Sequence, residues 1–254
     1  MRIILLFILT LIIAACSSST GYNPTVFDYH YDQQRIAAQP IKKVILAPIS
    51  MGVPVPSYLQ KRERKVKRMV KSYLENHGYQ VLPNYHFENA WKQTIRSYGN
   101  VYDPSTGKID IKTWQRAMSA TGKILRQKTD ADAVIFADLF VHKIQHSNSM
   151  RHYARWWGVT RKPALKGTGG VPMGFDWTQS INAASLRVSI YDMSLTRVFN
   201  SRGGIDTLSA IDLKRSNPAF VRRKTPLKNE DNIEEGIELA FHPFIPMKTY
   251  PGNP

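Results

Sequence analysis

Only one residue in this chain carries a soft nucleophile. Cys16 is the single cysteine among 254 residues, and a thiolate can be acylated, oxidised or bound to a metal. With no second cysteine there is no intramolecular disulfide, so packing must stabilise the fold. His142, His146 and His152 are close enough in sequence to suggest a metal. On one strand, however, His142 and His146 share a face about 13 Å apart, too far to chelate one ion, so they read as free or structural histidines. Asp130 and Asp132 resemble a catalytic carboxylate pair, but they stand at a helix-to-strand turn, where Asp is favoured for local hydrogen bonds. Asp138 falls mid-strand in an apolar run, facing water or buried with a basic partner. No nucleophile elbow, zinc spacing or dinucleotide fingerprint occurs, and Gly167-Thr168-Gly169-Gly170 lacks the spacing and strand-to-helix setting of a phosphate loop. These residues lead us to expect no catalytic group, no metal and no cofactor.

Contact chemistry is concentrated instead at about 147–180, which reads as a long loop inserted in the domain. It holds Arg151, Tyr153, Arg155, Trp156, Trp157, Arg161, Lys162 and Trp177, and three of the five tryptophans of the chain. Trp, Tyr and Arg dominate binding hot spots, and the same residue types suit a membrane interface. These eight residues are the expected partner-binding or surface-binding set. The alternative is that the tryptophans fold back over a sheet face while the arginines stay wet. A helix run from Lys61 to Lys71 carries seven basic residues against one acid, and Arg222-Arg223-Lys224 to Lys228 is a second basic stretch. Each is an anion-binding face or simply a solvated one.

The setting of Cys16 decides which thiol chemistry applies. Arg2 is followed by an almost unbroken apolar run, Ile3 to Ile13, then Ala14-Ala15-Cys16. One positive charge, about a dozen apolar residues and small residues before a cut site make a secretory leader, too short for a membrane span of roughly 20. The segment Leu11-Ile12-Ile13-Ala14-Ala15-Cys16 resembles the lipobox of bacterial lipoproteins. That resemblance implies fatty acylation of Cys16, cleavage before it, and, with Ser17 next in place of Asp, an anchor in the outer membrane facing the periplasm. Cleavage after Ala15 with a free thiol is the alternative.

Removing residues 1–15 leaves 239 residues, one large domain or two small ones. A hydrophobic fraction of 43% argues for a folded chain. The whole chain is +16, and because Arg2 leaves with the leader, 34 Lys and Arg against 19 Asp and Glu leave +15. A basic balance often means nucleic acid, but export makes that partner unexpected. Acidic protein surfaces, head-group phosphates and anionic envelope polymers such as peptidoglycan fit better.

The elements follow from pattern. Residues 16–40 read as the lipidated N-terminus and a tether, whose aromatic part can dock. The apolar run from Ile41 to Ile49, stopping at proline, reads as a buried strand, 57–77 as a helix striped by Val66, Met69, Val70, Tyr73 and Leu74, and Gln80-Val81-Leu82 as a strand. Helices follow after Asn84 and at about 110–128, then a long strand from Ala133 to Gln145. In the next strand Leu186, Val188 and Ile190 alternate with Arg187, Ser189 and Tyr191, one face buried and one wet. The return strand to Leu208 is bulged near Gly203-Gly204, and a last helix starts near Asp231 with Glu234 as a capping box. The expected fold is a single α/β domain over 41–250, with a mixed sheet in the order β-α-β-α-α-β-β-β-α flanked by helices.

Val44-Ile45-Leu46-Ala47-Pro48, the helix end Leu74 to Tyr79, Asp130 to Ile135, and Ala184 to Asp192 come in an order that resembles a known superfamily. It is the α/β domain of outer-membrane lipoproteins related to the curli secretion subunit and to the N-terminal domain of the Tol-system propeller protein. Lipoprotein activators of peptidoglycan synthases share that general fold. The resemblance implies binding of envelope proteins or self-assembly, not catalysis. The Gly, Pro and basic content of 147–180 does not suit the paired membrane strands of the curli subunit, so a secretion pore is not expected.

Overall fold

The computed structural model describes residues 28–48, 50–51, 55–103, 105, 109–147, 152–247 and 250. The leader, Cys16 and Arg151 lie outside these residues. The central sheet has six strands: β1 (His30–Tyr31), β2 (Lys43–Leu46), β3 (Gln80–Leu82), β4 (Ala133–Ile144), β8 (Ile181–Asp192) and β9 (Arg197–Thr207), in the spatial order β1-β9-β8-β4-β2-β3. β2 runs parallel to β3 and β4, while β4, β8 and β9 form an antiparallel run. Helices are α1 (Gln33–Ala38), α2 (Gln60–Asn76), α3 (Tyr85–Tyr98), α4 (Ile111–Lys128) and α5 (Glu230–Phe241). The α/β class, the mixed sheet and the order of its main elements are as the sequence leads one to expect.

Alternation on β4 and β8 builds three layers. Ile135, Ala137, Leu139, Leu186, Val188 and Ile190 point to one side, where Val66, Val70 and Leu74 of α2 and Ile233, Ile237 and Phe241 of α5 close over them. Val134 and Phe136 point to the other side, where Phe87 and Ala90 of α3 and Met118 and Leu125 of α4 cover them together with Ile45 of β2 and Ala47 just after it. Tyr191 and Ser189, expected on a wet face, therefore lie half-buried and buried. Helical cover over that face was not visible in the strand's own pattern.

Local chemistry explains several boundaries. Asp132 takes the backbone N–H groups of Lys42 and Lys43 at 2.8 and 2.7 Å, and Asp130 pairs with Lys43, so both aspartates secure the turn into β4. Asp110 caps α4 by accepting from the backbone N–H groups of Lys112 and Thr113. Gly122, which argues against a helix there, faces Leu195, whose side chain stands 2.7 Å from where a Cβ would be. The last helix begins at Glu230, capped by Asn229, rather than near Asp231 with a Glu234 box. An Asn side chain accepting from the Asp231 N–H meets the same orphan donors.

The aromatic end of the 16–40 segment docks on the domain: β1 pairs with β9, and Tyr31 meets Phe199 edge-on at 5.9 Å. One expectation changes: 147–180 is not a loop throughout. It contains β5 (Ala154–Trp156), β6 (Val159–Arg161) and β7 (Ala164–Lys166). Strands of three residues are too short to show alternation. β5 and β6 form a hairpin, whereas β7 joins a second sheet with β10 (Ser209–Asp212) and β11 (Ala219–Arg222).

α5 crosses β9 at close range where Gly236 faces Gly203 and Gly204. A Cβ on Gly203 would stand 2.0 Å from the Gly236 carbonyl oxygen, and one on Gly236 would stand 2.7 Å from the Gly204 carbonyl oxygen. The expected bulge falls here, between the Ala184 and Ser185 pairings. Gly203→Ala is expected to lower stability by roughly 2–4 kcal/mol, read as a fall in the thermal midpoint, because backbone cannot yield as a rotamer can. Gly170→Ala, which meets nothing within 4 Å, should change it by no more than about 0.5 kcal/mol.

Candidate functional site

The second face of the sheet is only partly covered. Beyond the helices its residues are Asp138, Phe140 and His142 of β4, Arg187 and Ser185 of β8, and Asn200 and Arg202 of β9, placed by register. The β5–β6 hairpin closes the far end, held by the Gly204 N–H donating to the Trp157 carbonyl at 2.9 Å. Between hairpin and helices lies a half-exposed strip of Phe140, His142, Trp157, Arg187 and Arg202.

Its rings and cations are tightly associated. Trp157 lies 4.2 Å from His142 and 5.2 Å from Phe140 between centroids, and the Arg202 guanidinium sits 5.5 Å over the Trp157 ring. Arg187 and Arg202 are cross-strand neighbours, a like-charge pairing that costs stability unless countered. Asp138 counters it. Its carboxylate is buried, bonds Arg187 Nη2 at 2.8 Å and accepts from the Met51 N–H at 3.2 Å. Arg187 Nε is buried and has no hydrogen-bond partner among the described residues. Among those residues the acidic side chain in ion-pair contact with Arg202 is the exposed Asp28 at 3.7 Å, a weak pair. The strip thus offers aromatic surface and, at Arg202, a weakly countered guanidinium group.

Beneath it runs a polar chain. The Trp156 indole N–H donates to Ser185 Oγ at 3.0 Å, and Ser185 Oγ lies 2.9 Å from His142 Nε2. Burial pushes the His142 imidazole down to about 4, with Arg202 adding to the shift, so it is neutral at pH 7. Serine beside neutral histidine is the pairing used for nucleophilic attack. Here Ser185 is fully buried, and its oxygen already accepts from Trp156. The pair fixes the hairpin against the sheet and leaves no room for a substrate at Oγ.

The residues expected at the contact surface separate. Trp157 is in the strip, and Arg155 and Lys162 are exposed near it on the hairpin. Trp156 is a correction: it is 4% exposed and packs with Ile144, Val159 and Ile181. Arg161 is another, since it bonds Glu235 at 2.5 Å and the Ile205 carbonyl at 2.8 Å, tying hairpin to α5. Tyr153 is half-buried. Trp177 stacks on His152 at 3.7 Å and meets Phe175 edge-on at 4.9 Å, a cluster apart from the strip. The tryptophans therefore divide between the two readings of this segment.

Phe140, His142, Arg187 and Arg202 were missed as a group. The even positions of β4, read alone as Phe136, Asp138, Phe140 and His142, carry the signal that one face turns from apolar to polar-aromatic along its length. Elsewhere, α2 and α5 flank a groove of about 560 Å³ with Arg68, Tyr73, His77, Glu234 and Glu238. Burial, reinforced by Glu234, raises the Glu238 carboxyl, but His77 is taken up by the Tyr73 carbonyl at 2.8 Å. Among the described residues no three His, Cys, Asp or Glu side chains come together as a metal requires, and no helix is long and apolar enough to cross a membrane.

Comparison with known proteins finds no matching family model and no matching curated protein.

Two outcomes are expected. Trp156→Ala should cost about 3–5 kcal/mol as a core truncation, while Trp157→Ala should cost about 1 kcal/mol, both by denaturant unfolding. His142 and His146 are each held near 4 by burial, below their unfolded value of about 6.5. The unfolded chain therefore binds protons that the folded chain refuses. Their contribution is complete above pH 6.5 and is lost as pH falls toward 4. The thermal midpoint should drop by several degrees between pH 7 and 4.5, and His142→Gln should flatten that slope.

Proposed function

We propose that this chain is a lipid-anchored protein of the outer membrane that faces the periplasm and binds an envelope protein, without catalysis, through the strip of Phe140, His142, Trp157 and Arg202. The observation that carries this reading is Trp157 held between Phe140, His142 and Arg202, all half-exposed, on a part of the sheet that no described helix covers. Half-exposed aromatic rings beside a guanidinium are the usual anchors of a protein contact. The partner face that fits is apolar or aromatic with a carboxylate, which would meet Arg202. The leader and lipobox-like segment ending at Cys16 supply the anchor in this reading. The superfamily resemblance supports binding or assembly over turnover.

A second reading is binding of an anionic envelope polymer, peptidoglycan included, with activation of a peptidoglycan synthase as one such role. The exposed basic residues of α2 favour it: Lys61, Arg64 and Arg68 lie on its wet side. Salt separates the two readings. Polymer binding should weaken steeply from low to physiological salt, whereas an aromatic-anchored contact should persist.

Cells grown with labelled fatty acid should label the protein, and Cys16→Ala should lose the label. In-cell crosslinking from Arg155, replaced by a photoreactive residue, should capture a defined envelope protein. Trp157→Ala should cut that capture at least fivefold, and Lys162→Ala should leave it unchanged. Equal capture by the Trp157 variant would sink the strip as the contact surface.

A further inference from the structure

The small sheet of β7, β10 and β11 lies apart from the strip and carries a groove of about 430 Å³. Its floor is small and apolar. Ala164, Ala210 and Val221 stand side by side, because Ala210 is in register with each of the other two. Leu165, 49% exposed, lies at its edge. The walls are basic: Lys166, Arg222, Arg223, Lys224 and Lys228.

These five cations are not equivalent. Lys166 Nζ meets Asp212 at 2.5 Å, and Arg223 Nη1 meets Asp206 at 2.7 Å. Both are held in place and largely neutralised. Among the described residues Arg222, Lys224 and Lys228 have no acidic side chain in ion-pair contact. Arg222 is instead steadied by the Tyr58 ring, 4.8 Å beneath its guanidinium. The groove therefore keeps an excess of three positive charges over an apolar floor, with part of its wall fixed before any ligand arrives. Fixed side chains lose less freedom on binding.

We propose that this groove receives a phosphate-bearing anion. The phosphate oxygens lie among Arg222, Lys224 and Lys228, and the carbon portion rests on Ala164, Ala210 and Val221. Three unneutralised cations call for more than one negative charge. A carboxylate supplies one, whereas a phosphate monoester supplies about 1.5 to 2 at neutral pH and presents three acceptor oxygens. Arg222 suits bidentate capture of two of them, and the two lysines suit point contacts with the third. Free phosphate monoesters and the monoester head group of phosphatidic acid share this chemistry. The inference requires neither the protein contact at Trp157 nor the anchor at Cys16.

Calorimetric titration of the full chain in neutral detergent tests it with three probes: sodium pyrophosphate, dihexanoyl phosphatidic acid and sodium acetate. Both phosphate probes should bind at least tenfold more tightly than acetate. Lys224→Ala/Lys228→Ala and Arg222→Ala should each weaken them at least tenfold, while Lys61→Ala/Arg64→Ala on α2 should leave them unchanged. Tighter binding of the lipid assigns the site to a head group, and tighter or equal binding of pyrophosphate assigns it to a soluble phosphate. Acetate binding as tightly as pyrophosphate, silence from both phosphate probes, or equal weakening by the α2 variant would overturn the proposal.

Discussion

The whole arrangement depends on backbone touching backbone where α5 crosses β9. Gly203 and Gly236 leave no space for a single carbon between helix and strand. Most helix–sheet contacts are cushioned by side chains, which can trade rotamers when a neighbour changes. Where Gly203 meets Gly236 backbone faces backbone, with Ile205 the nearest side chain, so the height of α5 above the sheet is set there by van der Waals contact. That height places Ile233, Ile237 and Phe241 in the core, and it places Leu239 against Gly158 in the β5–β6 turn. The hairpin is thereby seated from one side by α5 and from the other by the Trp156–Ser185 bond. Trp157, next along the chain, is then presented on the strip by structure rather than by chance.

Charge follows a related logic. Four buried or half-buried acids each hold one arginine across a junction: Asp138 with Arg187, Asp192 with Arg35, Asp206 with Arg223, Glu235 with Arg161. With few acids available, they are spent where elements meet, and the surplus cations collect on α2, the strip and the small sheet. A large excess of one sign is therefore compatible with a stable core, because the interior pairs are nearly balanced while repulsion is spread over a solvated surface.

Much of the frame was legible in the sequence because its signals are local and repeated. Val66, Val70 and Leu74 declare one helix face, the run from Ala133 to Ile144 declares a central strand, and Asp130 and Asp132 declare a turn. The site was less legible for physical reasons. Trp156 and Trp157 are adjacent in a three-residue strand and its turn, so which one faces the core depends on the hairpin's seat on β9. Arg202 and Trp157 are far apart in sequence and meet only through that seat. Gly203 and Gly236 carry no local pattern that marks them as partners. The short strands β5, β6 and β7 are specified by what they lie against, and a window of three residues has no periodicity to read.

The outer strands of the sheet are unusually small: β1 has two residues and β3 has three, and β6 shields the remainder of β9. Exposed ladder groups are what allow one chain to template another. Along β1 and β3, such abbreviated borders leave a second copy of the chain few amide groups to extend.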